Sequence, residues 1–137
     1  MSNSAKHIPQ WMRFLAGFLG LFALGIGIGG YFKPDMVVSG FAFDSVANQT
    51  MGMMFTGRNM AIGIALLLVA IGGVPESFAV IFIIRFLIEL QDLITKFVVG
   101  GALGEEIFIG ILLIIEGYVI TRLFKIIGEK HAAEKAG

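Results

Sequence analysis

The chain of 137 residues contains no cysteine, which excludes disulfide frameworks, thiolate metal sites and thiol redox chemistry together. The same absence leaves the redox compartment unread. Charge is scarce and balanced: 10 Lys+Arg against 10 Asp+Glu, 15% of residues and a net charge of zero, where soluble domains carry about 25%. No Lys/Arg run follows a phosphate backbone, so nucleic acid is excluded as a partner. There are two histidines, His7 and His131, near the ends and without clustered ligands, so no metal site is expected. The Met51, Met53, Met54 group reads as adaptable packing, because three thioethers on one helical segment converge poorly. The glycine pairs at 29/30, 72/73 and 100/101 punctuate apolar segments and lack the lysine and hydroxyl of a phosphate loop. No motif marks a catalytic residue or identifies a cofactor.

Apolar residues are what the chain has in excess. At 57% hydrophobic with 13 Phe and a mean hydropathy of +0.90, it exceeds the 45–50% apolar content of ordinary soluble domains. A globule this small forces much of its surface into water and has too little interior to hide that many large side chains. The bilayer is the expected solvent, for a single membrane domain over 1–137. The leading "MSNSAKHIPQ" precedes an apolar run that is too long for a cleaved signal and has no clear cleavage site, so it is read as a retained span.

Four spans are expected, at about 12–32, 51–74, 77–99 and 107–124, with a tail at 125–137. The first contains the uncharged run 14–32, and a helix needs about 20 residues to cross a hydrocarbon core. Trp11 and Tyr31 bracket it as interfacial aromatics do. Lys33-Pro34-Asp35 should stop it, since proline disfavours helix in the residue before it. In "MVVSGFAFDSVANQT", Asp44 is a candidate cap and Gly40/Phe41 a candidate interfacial dip. "GEKHAAEKAG" reads as a frayed, solvated helix end. Lys6 and Arg13 precede the first span, and Arg122, Lys125, Lys130 and Lys135 lie at the far end. The opposite-side connections offer only Lys33 and Lys96. Both termini are therefore expected in the cytoplasm, as an even number of spans requires. The fold class is an all-α membrane four-helix bundle.

Within the first span Ala16, Gly20, Ala23, Gly27 and Gly30 recur at spacings of four, three, four and three. Small residues so spaced form a stripe along which another helix approaches closely. The alternative reading is room for a flat ligand. Such a face permits a homo-oligomer without demanding one.

The third span carries charges in "RFLIELQDLITK". Arg85, Glu89, Asp92 and Lys96 follow one another at spacings of four, three and four, so they share one helix face. Arg58 in the second span and Glu116 in the fourth complete a set of three positive and three negative groups. Ionisable groups in a membrane face the protein interior, pair there and mark functional sites. With 1.5 Å of rise per residue, Arg58 and Asp92 each fall roughly 6 Å to the outer side of the midplane, where they can meet. Arg85 can bridge Glu89 and Glu116 through its fork of donors. Two close carboxylates in low dielectric share a proton unless such a cation compensates them. Lys96 is near enough to the interface to snorkel.

"GRNMAIGIALLLVAIGG", followed by "RFLIELQDL", resembles the DoxX-like superfamily of small four-span bacterial membrane proteins, in particular its branches of unknown function. The positions carrying the resemblance are Arg58, Gly63 and Asp92, with the proline and glycine-aromatic pair of "KPDMVVSGF". The resemblance implies a multi-pass protein of the bacterial cytoplasmic membrane. The family's better-described members are similar to subunits of thiosulfate:quinone oxidoreductase, but the missing cysteine departs from sulfur chemistry.

Three roles follow. The seam binds or transports a small polar or lipid-like molecule, with Arg58 and Arg85 attracting an anionic or carbonyl group and the carboxylates balancing charge. Alternatively, the chain is an accessory subunit of a larger membrane complex and the seam only clamps its helices. The third reading is a quinone-linked membrane enzyme subunit using Glu89 and Glu116 as acid and base.

Overall fold

The computed structural model describes residues 8–33, 44–99 and 103–136. Gly40/Phe41, Pro34-Asp35, the 100/101 glycine pair, Lys6 and His7 lie outside them. The described residues are helical throughout apart from short connections, in four elements: α1 Gln10–Phe32, α2 Val46–Gly72, α3 Pro75–Val99 and α4 Leu103–Ala136. The chain divides into two compact units, Gln10–Gly72 and a second whose body is Gly73–Gly137. Each unit is an antiparallel helix pair.

Local chemistry sets the helix ends. α1 stops at Phe32, where the Lys33 N–H still donates to the Gly29 carbonyl at 2.8 Å. α2 begins five residues ahead of the expected span because Ser45 caps it: its Oγ accepts the Asn48 N–H at 3.2 Å, which satisfies an otherwise orphaned donor of the first turn. Asp44, the expected cap, instead accepts from the Asn48 side-chain amide at 3.0 Å. The α2–α3 turn is made by Gly73 at φ 68, a left-handed conformation that glycine adopts without a β-carbon clash. Pro75 then occupies the first position of α3, where its missing N–H costs nothing. The segment expected to fray is helical to Ala136. Its Glu, Lys and Ala residues are good helix formers, and Lys130 ties it to Glu76 at 2.7 Å.

Three helices, α1, α2 and α4, are long and apolar enough to cross a membrane. α3 is not among them, since every 18-residue stretch of this 25-residue helix contains Arg85, Glu89 and Asp92. At 34 residues α4 runs about 51 Å, well beyond the ~30 Å of a hydrocarbon core.

The α1/α2 pair is built on close backbone approach. Ala16, Gly20, Ala23, Gly27 and Gly30 are all buried. A β-carbon added at Gly63 would lie 2.7 Å from the Leu24 nitrogen and 2.8 Å from the Gly20 carbonyl oxygen; one at Gly27 would lie 2.8 Å from the Met60 nitrogen and 2.9 Å from the Thr56 oxygen. Thr56, Met60, Gly63 and Leu67 of α2 carry the same four, three, four spacing as the α1 stripe. Where α1 begins and α2 ends, the Arg13 guanidinium donates to the carbonyls of Ala70 (2.8 Å) and Ile71 (2.9 Å). Those carbonyls lack acceptor duty inside the helix, and the cation suits the negative end of the helix dipole.

Candidate functional site: an enclosed arginine–carboxylate cluster

The α3/α4 pair begins as an ordinary apolar contact. Phe78 and Phe82, one turn apart, are fully buried with rings stacked at a centroid distance of 6.2 Å. Leu113, Val119 and Leu123 line the buried face of α4. Into these same stripes the sequence places Arg85, one turn beyond Phe82, and Glu116, one turn from both Leu113 and Val119. Arg85 is 4% exposed and Glu116 0%. Each occupies a position that spacing alone would assign to a large apolar side chain.

Arg85 Nε donates to Glu116 Oε1, and its Nη2 donates to Glu89 Oε1 at 3.0 Å. One guanidinium thus serves two carboxylates, one from its own helix at the i, i+4 spacing and one from the facing helix. Its planar fork permits this geometry, which a lysine would not reproduce. The second oxygen of Glu116, Oε2, is buried and has no hydrogen-bond partner among the described residues. Glu89 is less enclosed, with 19% of its side chain exposed, and so forms the open edge of the cluster.

The other charged residues singled out in the sequence are distributed over both helix pairs. Asp92 and Lys96 continue the Arg85/Glu89 face of α3 and are half-buried. Arg58 is on α2 in the other helix pair, half-buried, with its guanidinium carbon 5.2 Å from the centroid of the Phe55 ring, a cation–π distance. Among the described residues, no three His, Cys, Asp or Glu side chains converge to hold a metal ion.

The Glu76–Lys130 pair had no signal in the linear sequence, because its members lie 54 residues apart. The antiparallel register in which Arg85 faces Glu116 also brings them within a lysine's reach. The hydrogen bond from Lys130 holds the Glu76 carboxyl below the usual carboxylate range, and the same bond raises Lys130 above the ordinary lysine value. Thr56 is a further buried polar residue, satisfied by donating to the Met53 carbonyl at 2.9 Å.

α3 inverts the pattern of a water-soluble helix. Val80, Ile84, Leu87, Ile94 and Val98 share one face and are exposed, Val98 at 80%, while the charges occupy the opposite face. Phe14 and Phe32 on α1, Ile71 on α2 and Ile114 on α4 are each 75–78% exposed. So much outward-facing apolar surface marks a membrane or protein contact. No family model, no curated protein and no solved structure matches the chain.

Proposed function

We propose that the chain is a multi-pass protein of the bacterial cytoplasmic membrane, both termini inside. Its Arg85–Glu89–Glu116 cluster is a binding site for a small polar molecule, in a carrier or receptor role. The carrying observation is this enclosed charged cluster within a helix pair whose outer faces are apolar. Ionisable groups placed at membrane depth cost about 2.5–3.5 kcal/mol each on the lenient insertion scale. A structural clamp does not need that expense, because apolar side chains at the same positions hold helices as well or better.

α3 is the fourth span in this reading. Its exposed apolar face meets lipid, and its charges are compensated inside the protein rather than by water. The resemblance to the DoxX-like superfamily through Arg58, Gly63 and Asp92 belongs to the same proposal and supplies no substrate.

The test is mass spectrometry of the protein gently extracted from its native membrane, comparing wild type with Glu116→Gln. A small molecule retained by wild type and lost from a variant of unchanged helicity is the expected result. A partner chain held equally by both forms, with no small molecule in either, would assign the chain to the accessory-subunit reading instead.

A further inference from the structure

Among the described residues, Glu116 carries an unmet hydrogen-bond acceptor in a fully buried position. The residue is 0% exposed; Oε1 is taken by Arg85, while Oε2 has no donor among the described residues. A buried polar atom without a partner is costly, and in native proteins it points to a functional role or to an occupant. Arg85 also divides its single charge between Glu116 and Glu89, so Glu116 does not have that cation to itself.

These two facts reverse the ligand polarity expected from the sequence, in which the arginines attract an anion or a carbonyl. Two of the five N–H donors of Arg85, on Nε and Nη2, are given to carboxylates, and the buried atom of the cluster that has no partner among the described residues is an acceptor. An incoming anion would meet two carboxylates. An incoming donor would meet an oxygen that lacks one, and a charged donor makes the stronger bond to a carboxylate.

We infer that the ligand of the Arg85–Glu89–Glu116 cluster is a small organic cation that donates hydrogen bonds, of the primary-ammonium class, bound through Glu116 Oε2. The inference rests on the proposed binding role of the cluster and adds the chemical class. Glu89, the partly exposed member, is the side from which the cation enters.

The experiment is equilibrium dialysis of the full chain in mild detergent against radiolabelled methylammonium, with unlabelled methylammonium, tetramethylammonium and acetate as competitors. Tetramethylammonium keeps the charge and removes every N–H donor. The expected result is saturable uptake that methylammonium competes and acetate does not, with tetramethylammonium weaker by about tenfold or more, as the loss of a charge-assisted hydrogen bond implies. Glu116→Gln should lose the uptake, and Glu76→Gln, at the helix end, should keep it. If Glu116→Gln does not retain wild-type helicity, isotope-edited infrared spectra of the wild type carry the test, since methylammonium must shift a glutamate carboxylate band.

Equal competition by tetramethylammonium, or saturable binding of labelled acetate, would overturn the donor-cation inference while leaving a binding site in place. Absence of saturable binding by either labelled probe, with native extracts also free of small molecules, would overturn the binding role itself.

Discussion

At the α1/α2 contact, Gly20, Gly27 and Gly63 bring backbone against backbone so closely that an added β-carbon would fall 2.7–3.0 Å from backbone atoms of the facing helix. At the α3/α4 contact the facing positions hold a guanidinium and a carboxylate, both enclosed. The first contact relies on van der Waals packing, which works in lipid because it needs no water to expel. The second brings charge into a low-dielectric interior, where it is tolerated only while each group keeps its partner. Of the two helix pairs, α1/α2 is thus joined by close packing with one Arg13 guanidinium at its end, and without an enclosed ion pair among its described residues. In the proposed reading the charges of the second pair serve binding as well as adhesion.

Breaking the cluster from one side should give the largest effect. Arg85→Met leaves the Glu116 carboxylate enclosed without its cation, and removal of one member of a buried pair costs about 3–5 kcal/mol. Reversible unfolding in mixed micelles reads this directly, and a loss under 1 kcal/mol would show that Glu116 gains no more from Arg85 than an exposed pair does. Next comes the glycine contact. Gly63→Ala forces a methyl group against the Leu24 nitrogen and the Gly20 carbonyl, and overpacking of this kind costs about 1–3 kcal/mol.

A smaller effect of opposite sign is expected on the outer side of α1, the partner helix of that contact. Gly25 is exposed, and a β-carbon there would meet nothing within 4 Å. Gly25→Ala should therefore stabilise by about 0.5–1 kcal/mol through helix propensity. A loss of stability in that variant would place a close contact on the outer face of α1.

The smallest expected effect is the pH response of the α4 end. The depressed Glu76 contributes stability that is present above the ordinary carboxylate value and is lost as pH falls through its lowered value. The raised Lys130 contributes stability that is present below the ordinary lysine value and is lost as pH rises through its raised one. Hydrogen exchange in the last turns of α4 should be slowest between those limits. A profile corrected for intrinsic exchange that does not change with pH in either direction would remove the pair's role.

Short-range spacing and the meeting of charges at like depth are legible in this sequence, and the contacts at the helix ends are not. The spacing of Arg85 and Glu89 places them one turn apart on one face, and they stand 3.0 Å from each other. The spacing of Ala16, Gly20, Ala23, Gly27 and Gly30 defines a face in the same way. That Arg85 meets both Glu89 and Glu116 was legible from their depth in the spans and from the fork of the guanidinium. The Glu76–Lys130 pair was not, because it lies at the helix ends, where depth in a span no longer aligns residues of facing helices. Two helix starts and ends were set by single atoms: Ser45 Oγ lengthens α2, and the Lys130 ammonium helps hold the end of α4, where composition alone suggested fraying. α3 is the instructive case, because its charges hide an apolar face that is visible only when Val80, Ile84, Leu87, Ile94 and Val98 are seen to be exposed together.

In the proposed function the cluster is kept for binding rather than for holding α3 to α4. The most direct measurement is the stability of the triple variant Arg85→Met/Glu89→Gln/Glu116→Leu, which removes every charge of the cluster at once, read beside its methylammonium binding. The expected result is an unfolding midpoint at or above that of wild type, since well-packed apolar residues can replace a buried ionic cluster without loss of stability, together with complete loss of binding. A triple variant as unstable as Arg85→Met alone would contradict it and make the cluster the clamp of the helix pair.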